Sequence, residues 1–454
     1  MSRMIKKLIP ILCIIPLIVG AIGYAESGEM IMDSLYASFA LYFVNPVLDD
    51  YNGYIEFARW LAPLATATAI LSALGAIWSN IICWFRCLSK DSVAVYSDEE
   101  IRIRFDKKVK PVYPGEKFKK LAKSHIILFS SDQKSLKFYE DNREKFRKNL
   151  VYIGLRELEA GLIKEVGSAV LFDINGSTAR MLWKEIRLWG SRKEDICIVV
   201  YGNSLLAQNI LSYGLLLNLF SKNQKISYHV ISEKSQFQIK HPGLSLQNND
   251  EIIYHSDLDQ DTWHIVRAAD VVIIADAVSA DTLQTFLVNA DAGRMYYYSP
   301  TAGDVGDYIA FRGPQAFGRE EDILTDENIR RQKLVQAAIM LNEQYAAAYG
   351  GEKDWDKLSG FLKNSNISSA DYNEIIADLL DTVPEEELAE LEHIRWCRFH
   401  YLNYWKEGIP TNGKNKDNEK RIHKDLIPYS ELSDGEKEKD RQVVRAAGEK
   451  TLDQ

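Results

Sequence analysis

The chain has 454 residues, 46% hydrophobic and 26% charged, with a formal net charge of −9. That is ordinary globular composition, long enough for two or three domains. The acidic balance excludes general nucleic-acid binding, which needs a basic surface for phosphates.

Residues 1–90 read as a transmembrane region. Leu8 to Ala25 is an 18-residue uncharged run behind Arg3, Lys6 and Lys7. Trp60 to Phe85 is a 26-residue uncharged run closed by Arg86 and Lys90. Both have the length of a membrane span, about 18–20 residues. Spans are expected at about 8–25 and 60–86, with basic flanks holding the bulk of the chain in the cytoplasm. The localisation this implies is a multi-pass protein of the cell (inner) membrane, with membrane lipid as a partner. A cleaved signal peptide at residues 8–25 is the rival reading of the first run. Ala62, Ala65, Ala69, Ala73 and Ala76 share one helix face. Such a face predicts helix pairing, within the hairpin or between the subunits of a homo-oligomer. The cysteines have no CxxC spacing and read as thiols in a reducing compartment, with Cys83 and Cys87 as palmitoylation candidates.

Residues 91–123 are polar and mixed, and read as a linker with a strand-like Ile101–Phe105. From 124 to 320 apolar runs alternate with helix-like stretches, which implies a mostly parallel sheet covered on both faces. The first half, 124–190, holds runs at His125–Phe129, Leu150–Ile153 and Ala169–Ile174. No glycine turn follows the first of them; Ser130-Ser131-Asp132-Gln133 stands there instead.

The second half, 195–320, opens on Ile196–Tyr201, a buried strand. Gly202 closes it, Asn203 or Ser204 caps a helix over Leu205–Phe220, and a second strand, Ile226–Ile231, leads to Glu233. Strand, glycine turn, helix and strand with an acid at its tip is a dinucleotide-binding unit. Against G-x-G-x-x-G/A, Gly202 and Ala207 keep their places while Ser204 replaces the middle glycine. Asp257 and Asp276 fall at later strand ends, on the side where such sheets bind ligands.

These blocks resemble the nucleotide-binding domain of bacterial potassium-uptake regulators, the TrkA-N type, in a degenerate doubled form. The resemblance implies NAD or ATP as a cofactor on Gly202, Ser204, Ala207 and Glu233, with Asp257 and Asp276 nearby.

Residues 328–454 read as a helical region: Asn328–Tyr349, Trp355–Leu362, Tyr372–Leu380 and Glu385–Trp405. His393 and His400 lie two turns apart, ~10 Å of rise, too far to share a metal. The blocks Leu391–Trp396, His423–Leu432 and Lys437–Arg441, with a glycine-containing loop between the first two, resemble the ryanodine-receptor repeat (RyR) domain over about 355–447. Two-span bacterial relatives with a TrkA-N-like region look like the same architecture. The resemblance implies a module that binds a ligand or protein. Arg395, Trp396, Lys420, Arg421, His423 and Lys437 would offer cations and an indole face to an anionic aromatic ligand.

The fold class expected is thus a membrane-anchored α/β protein: N-terminal transmembrane helices, a doubled Rossmann-like parallel sheet region and a C-terminal, mainly α, RyR-like domain. There is no GxxxxGK[ST], GxSxG, HExxH or EF-hand loop, so neither catalysis nor a metal has support. The leading functional expectation is a membrane-anchored sensor or effector for a nucleotide-type small molecule. A regulatory or pore subunit of cation (potassium) transport and a nucleotide-hydrolysing enzyme are the alternatives.

Overall fold

A computed structural model describes residues 3–119, 122–147, 149–159, 163, 166–190, 193–290, 294–301, 314–411 and 413–452. The chain divides into two compact units, Met1–Ser92 and Val93–Gln454.

The first unit holds α1 (Arg3–Glu26), α2 (Ile31–Ala40) and α3 (Gly53–Cys87). Asn52 starts α3, its side chain accepting from the amides of Tyr54 and Ile55 at 3.1 and 2.9 Å. The same side chain donates to the carbonyl of Gly23 on α1 at 2.7 Å. Small residues let the helices approach: a Cβ on Gly20 would stand 2.8 Å from Ser38 Oγ and 3.3 Å from Ala58 Cβ. Tyr24, Ala37, Leu41, Ile55, Ala58 and Ala62 form the core of this unit.

Among the described residues, no helix is long and apolar enough to cross a membrane. The two transmembrane helices expected at 8–25 and 60–86 are corrected by this, and so is the multi-pass placement in a cell membrane that was drawn from them. The side chains of residues 8–13, 72, 73, 76, 77, 79 and 80 within these two runs lie outside the described residues. Pro63, Thr66, Thr68 and Gly75 dilute the second run. Thr66 and Thr68 donate to the helix carbonyls of Ala62 and Leu64. The small-residue face does pack: Ala62 and Ala65 are fully buried within the unit. The side chains of Ala73 and Ala76 lie outside the described residues.

The second unit opens with β1 (Ser92–Tyr96), β2 (Lys110–Val112), β3 (Ser124–Ile127), α4 (Asp132–Phe146), β4 (Leu150–Leu155), β5 (Val170–Asp173) and α5 (Ile174–Ile186). Its five strands run in the order β2-β1-β3-β4-β5, with β1, β3, β4 and β5 parallel. Two of the strands come from the stretch expected to be a linker. Val93, Ala94, Val95 and Tyr96 pair with Ser124 to Ile127, so the α/β region starts before residue 124.

Next come β6 (Asp195–Tyr201), α6 (Leu205–Leu217), β7 (Lys225–Ile231), α7 (Gln236–Lys240), β8 (Glu251–His255), α8 (Gln260–Ala268), β9 (Val271–Ile274), α9 (Ala280–Asn289), β10 (Met295–Tyr298) and β11 (Gln315–Phe317). All six strands are parallel, in the order β11-β10-β9-β6-β7-β8. Counted from β6, that is the 3-2-1-4-5-6 order of a Rossmann sheet. Side chains alternate between its faces. Ile198, Val200, Val271 and Ile273 enter the core under α5 and α6. Val199, Val272 and Ile274 enter the opposite one with Val266 of α8 and Phe286 of α9.

The remainder is α10 (Glu320–Ile323), α11 (Asp326–Arg330), α12 (Gln332–Tyr349), α13 (Gly360–Leu379), α14 (Glu385–Leu402), the short strands β12 (Lys406–Glu407), β13 (Lys416–Asp417) and β14 (Ile422–His423), and α15 (Asp434–Leu452). The helix expected over Asn328–Tyr349 breaks at Arg331, whose φ is +47°. The interval expected between the Trp355–Leu362 and Tyr372–Leu380 stretches is absent, because α13 runs through it. Tyr372, Ile375, Ile376, Leu388, Leu391 and Ile394 join the core that holds α5 and α6.

Candidate functional site

The order reversal of the second sheet lies between β6 and β9, and ligands of such sheets bind at the strand ends there. Gly202 leaves β6 with φ +137°, a conformation that favours glycine. A Cβ at this position would lie 2.7 Å from the Asp276 carboxyl carbon. Asp276 Oδ2 accepts from the Asn203 amide at 2.8 Å, and Oδ1 from the Ser204 amide at 3.1 Å. Ser204 Oγ caps α6 by accepting from the Ala207 amide at 3.2 Å. Asn203 fastens the turn to the loop after β7, accepting from the Gln236 amide at 2.8 Å and donating to the Lys234 carbonyl at 2.7 Å.

In a dinucleotide-binding fold, amides at this turn face a pyrophosphate. Here two of them hold a carboxylate of the same chain. The expected site residues Gly202, Ser204, Ala207 and Asp276 do come together, with Asp276 as the occupant of the anion position. Glu233 is exposed beyond the end of β7, and Asp257 is exposed ahead of α8, where its carboxylate accepts from the Leu258 amide at 2.7 Å.

The six residues expected in the C-terminal region do not form one site. Arg395 is 1% exposed; its Nε and Nη2 donate to the two oxygens of Glu392 at 2.6 and 2.7 Å. Its Nη1 donates to Ser368 Oγ at 2.9 Å. A guanidinium so committed is a core tie. Arg421, at φ +53°, donates to the Asn403 carbonyl at 2.7 Å. Lys420 is exposed, 3.4 Å from Thr411 Oγ1. Lys437 stands over the Tyr429 ring at 5.0 Å.

Trp396 and His423 do meet, edge to face at 5.0 Å between ring centroids. His400 lies 4.1 Å from the indole by the same measure. Burial, helped by Lys416, lowers the His423 pKa to about 4. Burial likewise lowers His400 to about 3, so both rings are neutral near pH 7. Lys416 has its own pKa lowered by burial and by Lys439. The sequence reading named neither as a site residue: Lys416 lies in the loop between the RyR-like blocks, and Lys439 lies within the Lys437–Arg441 block.

It also missed a buried Asp–His–Cys arrangement. His393 Nδ1 lies 3.3 Å from Asp440, and Nε2 lies 2.9 Å from the Ile427 carbonyl and 3.4 Å from Cys397 Sγ. Burial opposes a charged ring, but Asp440 and Cys397 outweigh it and raise the His393 pKa to about 11. An imidazolium donating at both nitrogens has no lone pair with which to take a proton from the thiol. Cys397 is fully buried, with its pKa raised by burial, so the group is a structural tie. The i, i+4 spacing of His393 and Cys397 was legible; the reach to Asp440 on another helix was not. Among the described residues, no cluster of three or more His, Cys, Asp or Glu side chains is placed to hold a metal.

Fold and site together define an α/β protein of Rossmann strand order with a helical region built into its core. The family model of the RyR domain matches residues 374–450. The C-terminal region therefore carries an RyR domain, and the match does not extend to the α/β region. No curated protein matches the chain. No solved structure matches it either.

Proposed function

We propose that this chain is a sensor: a nucleotide-type small molecule binds its Rossmann-ordered and RyR regions, and occupancy alters the activity of a partner protein. The observation that carries this reading is the position of α6. Its N-terminus is the turn at the switch point, while Arg398 of the RyR domain donates to the Leu215 carbonyl in its last turn at 2.9 Å. A ligand that moves either end therefore acts on a helix both regions share. The likeness of residues 124–320 to the TrkA-N type supports a nucleotide as the class of ligand. The net charge of −9 disfavours nucleic acid as a partner.

The test is titration calorimetry of the full chain with mononucleotides, dinucleotides and cyclic nucleotides, beside a thermal-shift series. Saturable heat with at least one of them is the expected result. Absence of both heat and shift across the panel removes the reading.

A further inference from the structure

A cavity of about 210 Å³ lies where β5, α6, α12, α13 and α14 meet, and reaches the first turn of α6 at Leu205 and Gln208. Leu205, Leu216, Leu334, Ile367 and Leu402 give it apolar walls. Drug-sized ligands occupy about 300–1,000 Å³, so this volume suits a single ring system or a nucleoside and excludes a dinucleotide.

Its polar groups are selective. Glu159, Asp173 and Asp371 face it, against one guanidinium, Arg331. Asp371 is fastened to Arg180 and Lys184 at 2.6 and 2.7 Å, and Glu159 to Lys240. Arg331 donates to Ser177 Oγ at 2.9 Å. Among the described residues, Arg331 is thus the one Lys or Arg side chain facing the cavity directly, which leaves a phosphate a single cation there. Amide groups fit a flat, hydrogen-bonding edge instead. The amides of Asn209 and Asn403 donate to helix carbonyls at 2.9 and 2.8 Å. Gln208 Oε1 is buried among the described residues without a hydrogen-bond partner, an acceptor awaiting a donor. At the rim, His241 stacks on Tyr404 with centroids 5.2 Å apart and planes 13° from parallel.

The backbone supplies an independent mark. Among the described residues, six non-glycine residues have φ in the left-handed region, and two of them, Arg331 at +47° and Tyr404 at +65°, line this cavity. Such conformations are strained in non-glycine residues and collect where a ligand is clamped.

We propose that this cavity binds a flat, uncharged heterocycle of nucleobase or nucleoside size, taken up through amide hydrogen bonds and enclosed by apolar walls. It deepens the sensor reading, on which it rests for the class of ligand, by seating the base along α6, next to the turn whose amides Asp276 holds.

The test titrates the full chain with nicotinamide, adenosine, guanosine, cytidine and uridine, then with the 5′-phosphates of the four nucleosides. Ser212→Phe fills the cavity and Asn364→Leu removes an amide from its wall; if the first fails to fold, the second decides. The proposal expects at least one of the uncharged compounds to bind the wild type and to bind each folded variant at least tenfold more weakly. Binding unchanged in the variants overturns it, as does no uncharged compound binding at all. Phosphorylated compounds binding equally to wild type and variants overturn the cavity and leave the sensor standing. Uncharged compounds binding in the cavity with no nucleotide bound keep the cavity and remove the nucleotide sensor.

Discussion

Arg398 of α14 and Asp250, the residue before β8, form an ion pair of 2.8 Å in which neither side chain has any exposed surface. The guanidinium also donates to the carbonyls of Leu246 and Leu215 and to Asn248, at 2.8, 2.9 and 2.5 Å. Asp250 in turn accepts from the Ile226 amide at 2.8 Å. Removing one partner leaves a charge buried without its counter-ion, which costs about 3–5 kcal/mol. Arg398→Met is expected to lower stability by about that much in urea unfolding. Arg398→Met with Asp250→Asn is expected to lose less than the single Arg398→Met variant, because no buried charge remains.

At the switch point, Asp276→Ala strips the acceptors from two turn amides and is expected to cost ~1–3 kcal/mol. Gly202→Ala meets both a left-handed backbone and the Asp276 carboxyl carbon at 2.7 Å, and loses a similar amount, ~1–3 kcal/mol. The double variant relieves the collision, so its loss should be smaller than the sum of the two. Thermal denaturation of the three variants reads this directly.

His393 makes stability depend on alkaline pH. Its pKa is raised to about 11 in the fold, against ~6.5 in an unfolded chain. Its contribution is therefore complete below ~6.5 and is lost as pH rises through the folded value. His393→Gln is expected to be less stable than wild type at neutral pH but to lose less on going to pH ~10. Urea midpoints at both pH values check it.

His125 and His423 act with the opposite sign, since burial lowers both to about 4. The stability tied to their neutral rings is present above ~6.5 and is lost as pH falls through the folded value. His423→Gln should flatten the decline in melting temperature between pH ~6.5 and ~4. An unchanged acid limb would show that the ring is solvated.

The unit from Asp195 to Glu233 was legible because it is local. An apolar run, a glycine and a capping serine sit together in sequence, and β6, α6 and β7 begin and end within a few residues of where they were expected. Ser92–Tyr96 was not recognised: five apolar-leaning residues among charges look like linker until β3 is there to pair with them. The anchor is overturned by the helices themselves, none of which, among the described residues, is long and apolar enough to cross a membrane. Arg395 was assigned to a ligand although Glu392, one turn earlier, was already its partner in the sequence. Asp276 was placed at a strand end correctly. Its grip on the Asn203 and Ser204 amides depends on β9 lying beside β6, which no spacing encodes.

The RyR match begins at residue 374, and α13 runs from Gly360 to Leu379, so the boundary falls inside a helix. The residues that secure this helix lie just upstream. Asp371 takes Arg180 and Lys184 of α5, and the Tyr372 hydroxyl donates to the Leu219 carbonyl at 2.6 Å. A gene fragment cut at the recognisable boundary would encode half a helix without its fastenings. What can be inherited, transplanted or expressed as an intact piece is therefore larger than the stretch that reveals its ancestry, and on the α13 side it starts before Gly360.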